Sequence, residues 1–324
     1  MSRPLPVVVI VTPSLADANN GNWRTAHRWQ SLLNGRYEAI VQSQWSARLT
    51  QPGDVLLALH AGRSANSILQ FRAQHANKPL IVALTGTDLY RDIADDTRVQ
   101  TSLSLADALV VLQERGIAQL PLEYRNKTHV IFQSAKPLRA ARKSVLGLNC
   151  VVAGHLRQEK DPETIFRLAE ALPDGSPVRI LHVGAPLDSE LALRAKALSA
   201  SNRYYHWSGS LPHGLTRAAI KRAHLLIHPS VMEGGANVIA EAISSGTPVI
   251  ASHMDGNVGM LGRDYPGYFP VGDVTALGAL LSRCIEDRNF LLRLGAACAA
   301  RSKLFLPETE RAGLCRMIDD LISR

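Results

Sequence analysis

Short apolar runs alternate with amphipathic stretches along most of the chain. The runs PVVVIVT (6–12), DVLLALH (54–60) and PLIVALT (79–85) read as strands, and stretches such as SANSILQFRAQH (64–75) have helical spacing. Strands of a parallel sheet are buried on both faces and are joined by crossover helices, so they appear in a sequence as apolar runs separated by helices. The pattern therefore predicts an α/β protein with parallel sheets covered by helices on both faces.

The alternation is interrupted once and restarts at NCVVAGH (149–155). The segment KPLRAARKSVLG (136–147) is basic, rich in small residues and without strand periodicity, and we interpret it as an interdomain linker. A chain of 324 residues is long enough for two domains of ordinary size. We predict two doubly wound domains, 1–140 and 148–306, that face each other across a cleft, with the amphipathic helix at 307–324 assigned to the first.

The charge balance indicates an anionic partner. The chain has 36 Lys and Arg against 28 Asp and Glu, a net charge of +8, but only 5% aromatic residues and no basic-aromatic interleaving. This composition favours small phosphorylated ligands over nucleic acid. No stretch approaches the roughly 18 unbroken apolar residues of a membrane helix, and the four cysteines lack metal-binding spacing. We expect a cytoplasmic protein without an integral membrane segment, and the sequence indicates no protein partner.

One motif of the second domain combines two carboxylates with two adjacent glycines. It is HPSVMEGGANVIAEAISSGTPVI (228–250), in which Gly234 and Gly235 separate a strand from a helix and seven residues lie between Glu233 and Glu241. Glycines let backbone approach a ligand, and a helix start favours phosphate. Glu241, well inside the helix, is placed to accept hydrogen bonds from vicinal hydroxyls such as those of a ribose. The alternative is a plain strand-loop-helix with two solvated glutamates.

A second motif follows the first strand of the same domain. VVAGHLRQEKDPE (151–163) places Gly154, Arg157 and Lys160 at this strand end. Fixed cations there are able to neutralise a pyrophosphate leaving group, although a basic surface loop would look the same. No Asp-x-Asp triplet occurs in the chain, so we expect neither a divalent metal on the diphosphate nor another cofactor.

The second domain resembles the retaining glycosyltransferases of family 4, which have the GT-B fold. The resemblance spans nearly all of this domain and is carried by a Gly-x-Leu-x-x-x-Lys element, a Glu-x7-Glu element and a Gly-x-Pro-Val turn. The residues concerned are Gly154, Leu156, Lys160, Glu233-Gly234, Glu241-Ala242 and Gly246-Thr247-Pro248-Val249.

This resemblance implies a nucleotide-sugar donor. Glu241 would bind the ribose hydroxyls, Glu233 and the backbone after it would hold the sugar and phosphates, and Arg157 with Lys160 would stabilise departing UDP. The family usually has Arg directly after the first glycine, where this chain has His155. The predicted donor-site residues are Gly154, Glu233, Gly234, Gly235, Ala236, Asn237 and Glu241.

Four loops of the first domain carry cations and hydroxyls at predicted strand ends. They are DANNGNWRTAHRW (17–29), LALHAGRSANS (57–67), ALTGTDLYRDI (83–93) and FQSAKP (132–137). Several cations at helix starts favour a small, doubly charged acceptor over a lipid or a long sugar chain, although basic residues lining a solvated cleft would look similar. The predicted acceptor-site residues are Gly21, Asn22, Arg24, Thr25, His60, Arg63, Ser64, Gly86, Thr87 and Lys136.

The turn at 85–88 departs from the family 4 pattern. Most members carry His-Gly-x-Asp there, and this chain has Thr85-Gly86-Thr87-Asp88. A neutral threonine cannot act as a general base near pH 7. Either the base lies elsewhere, with His60 as the best candidate, or the nucleophile needs none.

The first domain closely resembles the selenosugar synthases of the selenoneine pathway. The shared elements cover most of the domain and are NGN-x-x-TA-x-RW, LALHA-x-RSA, VALTGTDLYRD, SL-x-LAD, VVLQ and QSA. The resemblance implies transfer of N-acetylglucosamine (or glucose) from UDP-sugar to the selenium of selenophosphate, followed by loss of the phosphate group.

Selenophosphate is anionic at neutral pH, so its selenium needs no base, and the site has to supply charge screening and alignment. We expect Arg24, Arg63 and Lys136 to contact the phosphate oxygens. Asp88 either shapes the space around the anomeric carbon or caps the next turn. The predicted catalytic residues are Arg157, Lys160, Glu233, Thr85 and Asp88.

Three other interpretations remain open. The chain could be an ordinary hexosyltransferase acting on a hydroxyl acceptor, with His60 as base. It could be a non-catalytic protein that binds nucleotide sugars. Thiophosphate or phosphate could replace selenophosphate, because the sequence does not distinguish sulfur from selenium.

Overall fold

The structure, a computed structural model, describes residues 4–13, 21–46, 53–139 and 141–324. It divides into two compact units. The N-terminal unit comprises Met1–Gln133 and Pro307–Arg324, and the C-terminal unit comprises Ser134–Leu306. Each unit is built on a six-stranded sheet in which all described pairings are parallel. The predicted α/β class with two parallel sheets is therefore confirmed.

The sheet of the N-terminal unit has the order β2-β1-β3-β4-β5-β6. Its strands are β1 (Val7–Val11), β2 (Glu38–Gln42), β3 (Val55–Leu59), β4 (Leu80–Leu84), β5 (Ala108–Val111) and β6 (Thr128–Val130). The α-helices described between these strands are α1 (Gly21–Leu33), α2 (Ala65–Gln74), α3 (Thr87–Tyr90), α4 (Thr97–Leu105) and α5 (Leu122–Arg125).

Successive residues of the central strands of this sheet pack into two different cores. Leu57 of β3 lies in a core with Trp29 of α1, whereas its neighbour Leu56 lies in a core with Phe71 of α2. All residues of β3 are buried. Because helices cover both faces, a polar side chain on either face of the strand would be buried, which explains the unbroken apolar runs of the sequence.

The sheet of the C-terminal unit has the order β12-β11-β10-β7-β8-β9. Its strands are β7 (Leu148–Ala153), β8 (Val178–Val183), β9 (Tyr205–Trp207), β10 (Leu225–His228), β11 (Val249–Ser252) and β12 (Tyr268–Phe269). The α-helices described in this unit are α6 (Pro162–Ala171), α7 (Ser189–Ser201), α8 (His213–Arg222), α9 (Asn237–Ile243), α10 (Asp255–Leu261), α11 (Val274–Glu286) and α12 (Arg288–Ala300).

The last helix, α13 (Pro307–Ile322), packs on α1 of the N-terminal unit. Its buried Glu310 accepts hydrogen bonds from Arg28 Nε at 2.9 Å and from Trp29 Nε1 at 2.6 Å. A carboxylate with two such partners is a strong, directional contact. This contact fixes the terminal segment to the unit that begins the chain.

The segment predicted as a linker, 136–147, has no helix or strand among its described residues and makes its contacts within the C-terminal unit. Leu138 N donates to Ser244 O at 2.8 Å. Lys143 Nζ donates to Lys221 O and Ala223 O at the end of α8, at 2.8 and 2.6 Å. The lysine satisfies helix carbonyls that have no intrahelical partner.

Each sheet has a point where the strand order reverses, and ligands of open parallel sheets bind beyond the strand ends at such a point. In the N-terminal unit this point lies between β1 and β3. In the C-terminal unit it lies between β7 and β10. The loops after β3, β7 and β10 are therefore the places to examine for a site. Within the described ranges, no helix is long and apolar enough to cross a membrane.

Candidate functional site

A buried ion pair lies where the loops after β7 and β10 meet. Lys160, at the end of a 3₁₀ turn after β7, contacts Glu233 Oε1 through its Nζ atom. His228 Nε2, at the end of β10, lies 3.3 Å from the same oxygen. The side chains of Glu233 and His228 are only 10% and 3% exposed. The two loops are also joined by the bond from Val231 N to Glu159 O at 3.0 Å.

The electrostatics of this pair keep Glu233 ionised. Burial by itself would raise the pKa of Glu233, but the charge of Lys160 and the nearby imidazole of His228 outweigh burial and hold that pKa well below its ordinary value. Burial lowers the pKa of His228, and Glu233 only partly offsets this. The predicted residues Lys160 and Glu233 are thus brought together, and His228 is a partner that the sequence did not reveal.

The glycine turn after Glu233 is packed closely against α10. A Cβ on Gly256 would lie 2.1 Å from Glu233 O, so only glycine fits beneath the turn. Gly234 is buried and Gly235 half-buried. The helix α9 begins at Asn237, and Ala236 N lies 3.0 Å from Met260 Sδ. The backbone amide of Ala236 therefore already has a contact within the protein.

Glu241 lies inside α9 and is 5% exposed. Its Oε1 accepts a hydrogen bond of 2.6 Å from Nε2 of His213, the first residue of α8. Its Oε2 is buried and has no hydrogen-bond partner among the described residues. A buried carboxylate oxygen without a partner is costly, and it points to a donor that arrives with a ligand.

The remaining residues of the β7 loop differ in exposure. The Arg157 side chain is 46% exposed, and its Nε lies 3.8 Å from Glu159. His155, which stands where family 4 usually has Arg, accepts a hydrogen bond of 3.0 Å at Nδ1 from Ala185 N. His155 thus links the loop to the end of β8. A Cβ on Gly154 would lie 3.5 Å from Lys160 Cδ, so this glycine faces the lysine side chain.

In the N-terminal unit, Asp88 joins the loops after β3 and β4. It is fully buried, and its two carboxylate oxygens accept hydrogen bonds from Ala61 N, Thr85 N and Gly86 N at 2.9, 3.0 and 2.8 Å. All three donors precede Asp88 in the chain, so the carboxylate ties two loops together and does not cap the turn that follows it; that helix begins after Gly86 without a side-chain cap. The Oγ1 of Thr85 is buried and has no partner among the described residues.

His60 adopts a left-handed backbone conformation at the end of β3, with φ of 69°. Such a conformation is uncommon for residues other than glycine and concentrates at functional sites. The Nδ1 of His60 accepts from Arg63 N at 3.3 Å, and Nε2 lies 3.1 Å from Thr87 Oγ1. Both ring nitrogens therefore have protein partners, and these fit a neutral ring that donates to Thr87.

A pocket of about 220 Å³ opens beside His60. Three arginines and two aspartates contribute to its wall, and the lining residues are His60, Gly62, Arg63, Thr87, Arg91, Asp92, Asp96 and Arg98. Arg91 pairs with Asp92 at 2.9 Å and Arg98 with Asp96 at 2.7 Å. The guanidinium of Arg63 has no hydrogen bond or ion pair with any described residue. The pocket is left with one uncompensated positive charge.

The other predicted acceptor residues are not among those that line this pocket. Thr25 donates its hydroxyl to Gly21 O at 2.8 Å and accepts from Gln133 Nε2, and Ser64 Oγ donates to Leu59 O at 2.6 Å. These two hydroxyls are buried and serve the local fold. The other residues are Gly86, whose N–H donates to Asp88, Asn22 and Arg24, which lie in the first turn of α1, and Lys136, which is exposed in the C-terminal unit. Residues 17–20 of the predicted anion cradle lie outside the described residues.

Sequence reasoning missed several residues of these sites. Arg91 and Arg98 join the pocket of the N-terminal unit, while His213 and His228 contact the two glutamates of the C-terminal unit. Arg91 belongs to the loop ALTGTDLYRDI (83–93), so its charge could have been included among the predicted acceptor-site cations. Among the described residues, no three His, Cys, Asp or Glu side chains are grouped so as to hold a metal ion.

Comparison with known proteins agrees with this geometry. Residues 148–301 match the family model of the glycosyl transferases group 1. The chain is 28% identical over 275 residues to a D-inositol 3-phosphate glycosyltransferase of Mycobacterium sp. (strain KMS), covering 80% of this chain and 58% of the relative. It is 32% identical over 189 residues to the protein of the same name from Nocardia farcinica (strain IFM 10152), covering 52% of this chain and 40% of the relative. The chain thus spans less than two thirds of these relatives.

Among solved structures, sucrose-phosphate synthase from Thermosynechococcus elongatus superposes with a TM-score of 0.79 at 17% identity, over 98% of this chain and 99% of that chain. Anabaena HepE in complex with UDP-glucose gives a TM-score of 0.74 at 15% identity, over 98% of this chain and 100% of that chain. Two parallel-sheet, Rossmann-like units of this kind define the GT-B fold. The family model of the group 1 glycosyltransferases thus matches the C-terminal unit of the chain, at residues 148–301.

Proposed function

We propose that the chain transfers N-acetylglucosamine (or glucose) from a UDP-sugar to selenophosphate. The anionic selenium attacks the anomeric carbon, a carbon–selenium bond forms, and the carbon–oxygen bond to UDP breaks with its electron pair leaving on UDP. Water then cleaves the selenium–phosphorus bond, so that phosphate leaves and a 1-seleno-sugar remains. The attack itself transfers no proton, and it depends on charge stabilisation and alignment.

The C-terminal unit is proposed to hold the donor. Its buried carboxylates, Glu233 and Glu241, lie on the loop and helix that follow β10, at the reversal of the strand order. The unpartnered Oε2 of Glu241 suits a ribose hydroxyl. Arg157 and Lys160 remain the candidates for stabilising departing UDP. HepE, one of the similar structures, was solved with UDP-glucose.

The observation that carries the acceptor proposal is the uncompensated charge of Arg63 in a pocket without a ready base. Asp88 has both oxygens occupied by backbone N–H groups, and Thr85 is neutral near pH 7. His60 accepts at Nδ1 and contacts Thr87 through Nε2, so neither ring nitrogen is open to a substrate hydroxyl. An acceptor that is already an anion suits such a pocket.

A second candidate is transfer to a hydroxyl of a phosphorylated acceptor. It is favoured by the names of the relatives, which are D-inositol 3-phosphate glycosyltransferases. The same arginine would then bind the phosphate of the acceptor, but a base would be required. His60 would have to release Thr87 to act as that base. A third, lower-ranked candidate is binding of a nucleotide sugar without catalysis.

Mass spectrometry of the products separates the three candidates. The protein is incubated with UDP-N-acetylglucosamine and selenophosphate, inositol 3-phosphate, thiophosphate or no acceptor. A seleno-sugar with stoichiometric UDP supports the proposal, and a chelator is expected to leave this rate unchanged. A product formed only with inositol 3-phosphate would establish the hydroxyl candidate. UDP-sugar binding without any product would establish the non-catalytic one.

The role of the pocket is tested by Arg63→Ala. This variant is expected to raise the KM for the anionic acceptor about tenfold or more, because a charge-assisted contact is lost, and to leave the KM for the UDP-sugar within about twofold. Arg316→Ala, an exposed change of the same charge on α13, serves as control. Equal effects of Arg63→Ala on both substrates would contradict a separate acceptor site in the N-terminal unit.

A further inference from the structure

The carboxylate of Glu241 has two unlike oxygens. Oε1 is held by His213 Nε2 at 2.6 Å, while Oε2 is buried and has no partner among the described residues. The two side chains come from different elements, Glu241 from α9 and His213 from the first turn of α8. The contact therefore depends on how the two helices pack and not on local sequence.

A second basic residue of α8 stands close to the same carboxylate. Arg217 lies one helical turn after His213, and the charge of Glu241 opposes the lowering of the Arg217 pKa by burial. Arg217 Nη2 donates to Lys136 O at 2.8 Å, and its Nε is buried without a hydrogen-bond partner among the described residues. Of these two α8 side chains, only His213 hydrogen-bonds to Glu241.

We propose that His213 is a positioning residue for the donor: by holding Oε1, it fixes the Glu241 carboxylate so that Oε2 faces the vicinal hydroxyls of a ribonucleoside diphosphate. This inference rests on the proposed function of the C-terminal unit as donor site. A glutamate side chain without such a partner loses rotamer freedom when the ligand binds, and that loss weakens binding. With His213 in place, the carboxylate is already ordered.

The opposing interpretation is a surface contact without functional effect. The side chain of His213 is 51% exposed, and half-exposed ion pairs contribute little to stability. Only a positioning role predicts that the effect of His213 on ligand affinity depends on whether the ligand carries ribose hydroxyls.

Isothermal titration calorimetry with UDP and with 2′,3′-dideoxy-UDP provides this test. His213→Ala is expected to weaken UDP binding about five- to tenfold and dideoxy-UDP binding less than about twofold. His213→Gln keeps an N–H donor at a similar distance from the backbone and is expected to restore most of the UDP affinity. His206→Ala, an exposed histidine of the same unit, is the matched control and should change neither affinity.

A double-mutant cycle of His213→Ala and Glu241→Gln tests whether His213 acts on UDP affinity through Glu241. If His213 acts through Glu241, then His213→Ala has little further effect on UDP affinity in the Glu241→Gln background. Equal weakening of UDP and dideoxy-UDP by His213→Ala, or full additivity with Glu241→Gln, would overturn the positioning role while leaving the donor site intact. Failure of the unaltered protein to bind UDP, or indifference of UDP affinity to Glu241→Ala, would instead refute the donor site itself.

Discussion

The pair between Lys160 and Glu233 allows a quantitative prediction. Both side chains are largely buried, at 17% and 10% exposure, and the only other partner of the Glu233 carboxylate among the described residues is His228. Replacing Lys160 by Met therefore leaves a buried carboxylate with only the imidazole of His228 beside it. Removing one member of a buried ion pair costs about 3–5 kcal/mol. For a unit of this size each kcal/mol lowers Tm by about 2–4 °C, so the C-terminal unit should melt about 6–20 °C lower.

Differential scanning calorimetry without ligand at pH 7 measures this change in Lys160→Met, Glu233→Gln and the double variant. The double variant is expected to be more stable than Lys160→Met alone, because removing the second charge relieves the first loss. Arg157→Met is the control, since this neighbouring cation is 46% exposed and only loosely paired. Additive losses in the double variant would show that the two charges are not coupled, and the assignment would be wrong.

The same pair fixes the direction of the pH dependence. The folded pKa of Glu233 lies below its ordinary value of 4.5, despite the opposing effect of burial, because of Lys160 and His228. The stabilisation is therefore present above about pH 4.5 and is lost as the pH falls toward the folded pKa. Glu233→Gln lacks this titration, so its stability should fall less steeply in acid than that of the unaltered protein. An identical acid slope would contradict the ionised state of Glu233.

Three further predictions concern other buried polar groups. Glu310→Gln should destabilise the N-terminal unit by about 2 kcal/mol, because two hydrogen bonds lose their charged acceptor. It should also speed proteolysis within α13. The control Glu308→Gln changes an exposed residue and should have neither effect. Burial lowers the pKa of His182 to about 4 from 6.5. As the pH falls, the unfolded state therefore binds this proton before the folded state does, and the free energy of unfolding should fall by up to about 3 kcal/mol between pH 6.5 and 4. In urea titrations, His182→Gln should show a smaller loss of stability over this pH range. Asp88→Asn replaces one carboxylate oxygen by an amide NH2 group that faces one or two of the three backbone donors, so it should cost about 2 kcal/mol in melting experiments and raise the KM for the acceptor more than that for the donor.

The strands could be predicted because both faces of each sheet are covered. The run DVLLALH gave β3 (Val55–Leu59), and all of its residues are buried. The edge strand β2 (Glu38–Gln42) was missed, since its polar ends and partial exposure leave no unbroken apolar run. The helices α10 to α12 after β11 were also not predicted individually. Apolar runs reveal central strands, whereas edge strands depend on pairing that a sequence does not display.

The candidate donor-site residues could be proposed from the sequence where they belong to motifs of short, fixed spacing. Glu233, Glu241 and Lys160 follow from the Glu-x7-Glu element and the Gly-x-Leu-x-x-x-Lys element. Their partners were not predictable, because His213 reaches Glu241 and His228 reaches Glu233 only through the packing of separate elements. Which oxygen of a carboxylate is occupied and which is open is likewise a property of the folded chain.

In the turn at 85–88 of the N-terminal unit, one residue holds the loop and another occupies the position of the expected base. Asp88 retains the residue type usual at this turn in family 4, and its two oxygens tie the loop after β4 to Ala61 of the loop after β3. The residue that family 4 usually has as histidine is Thr85, whose hydroxyl is buried and has no partner among the described residues. The backbone of this turn is thus held by Asp88 without any contribution from the side chain of Thr85. A turn with threonine where a proton acceptor would be expected, beside the uncompensated charge of Arg63, supports our proposal of an acceptor that is already deprotonated when it binds.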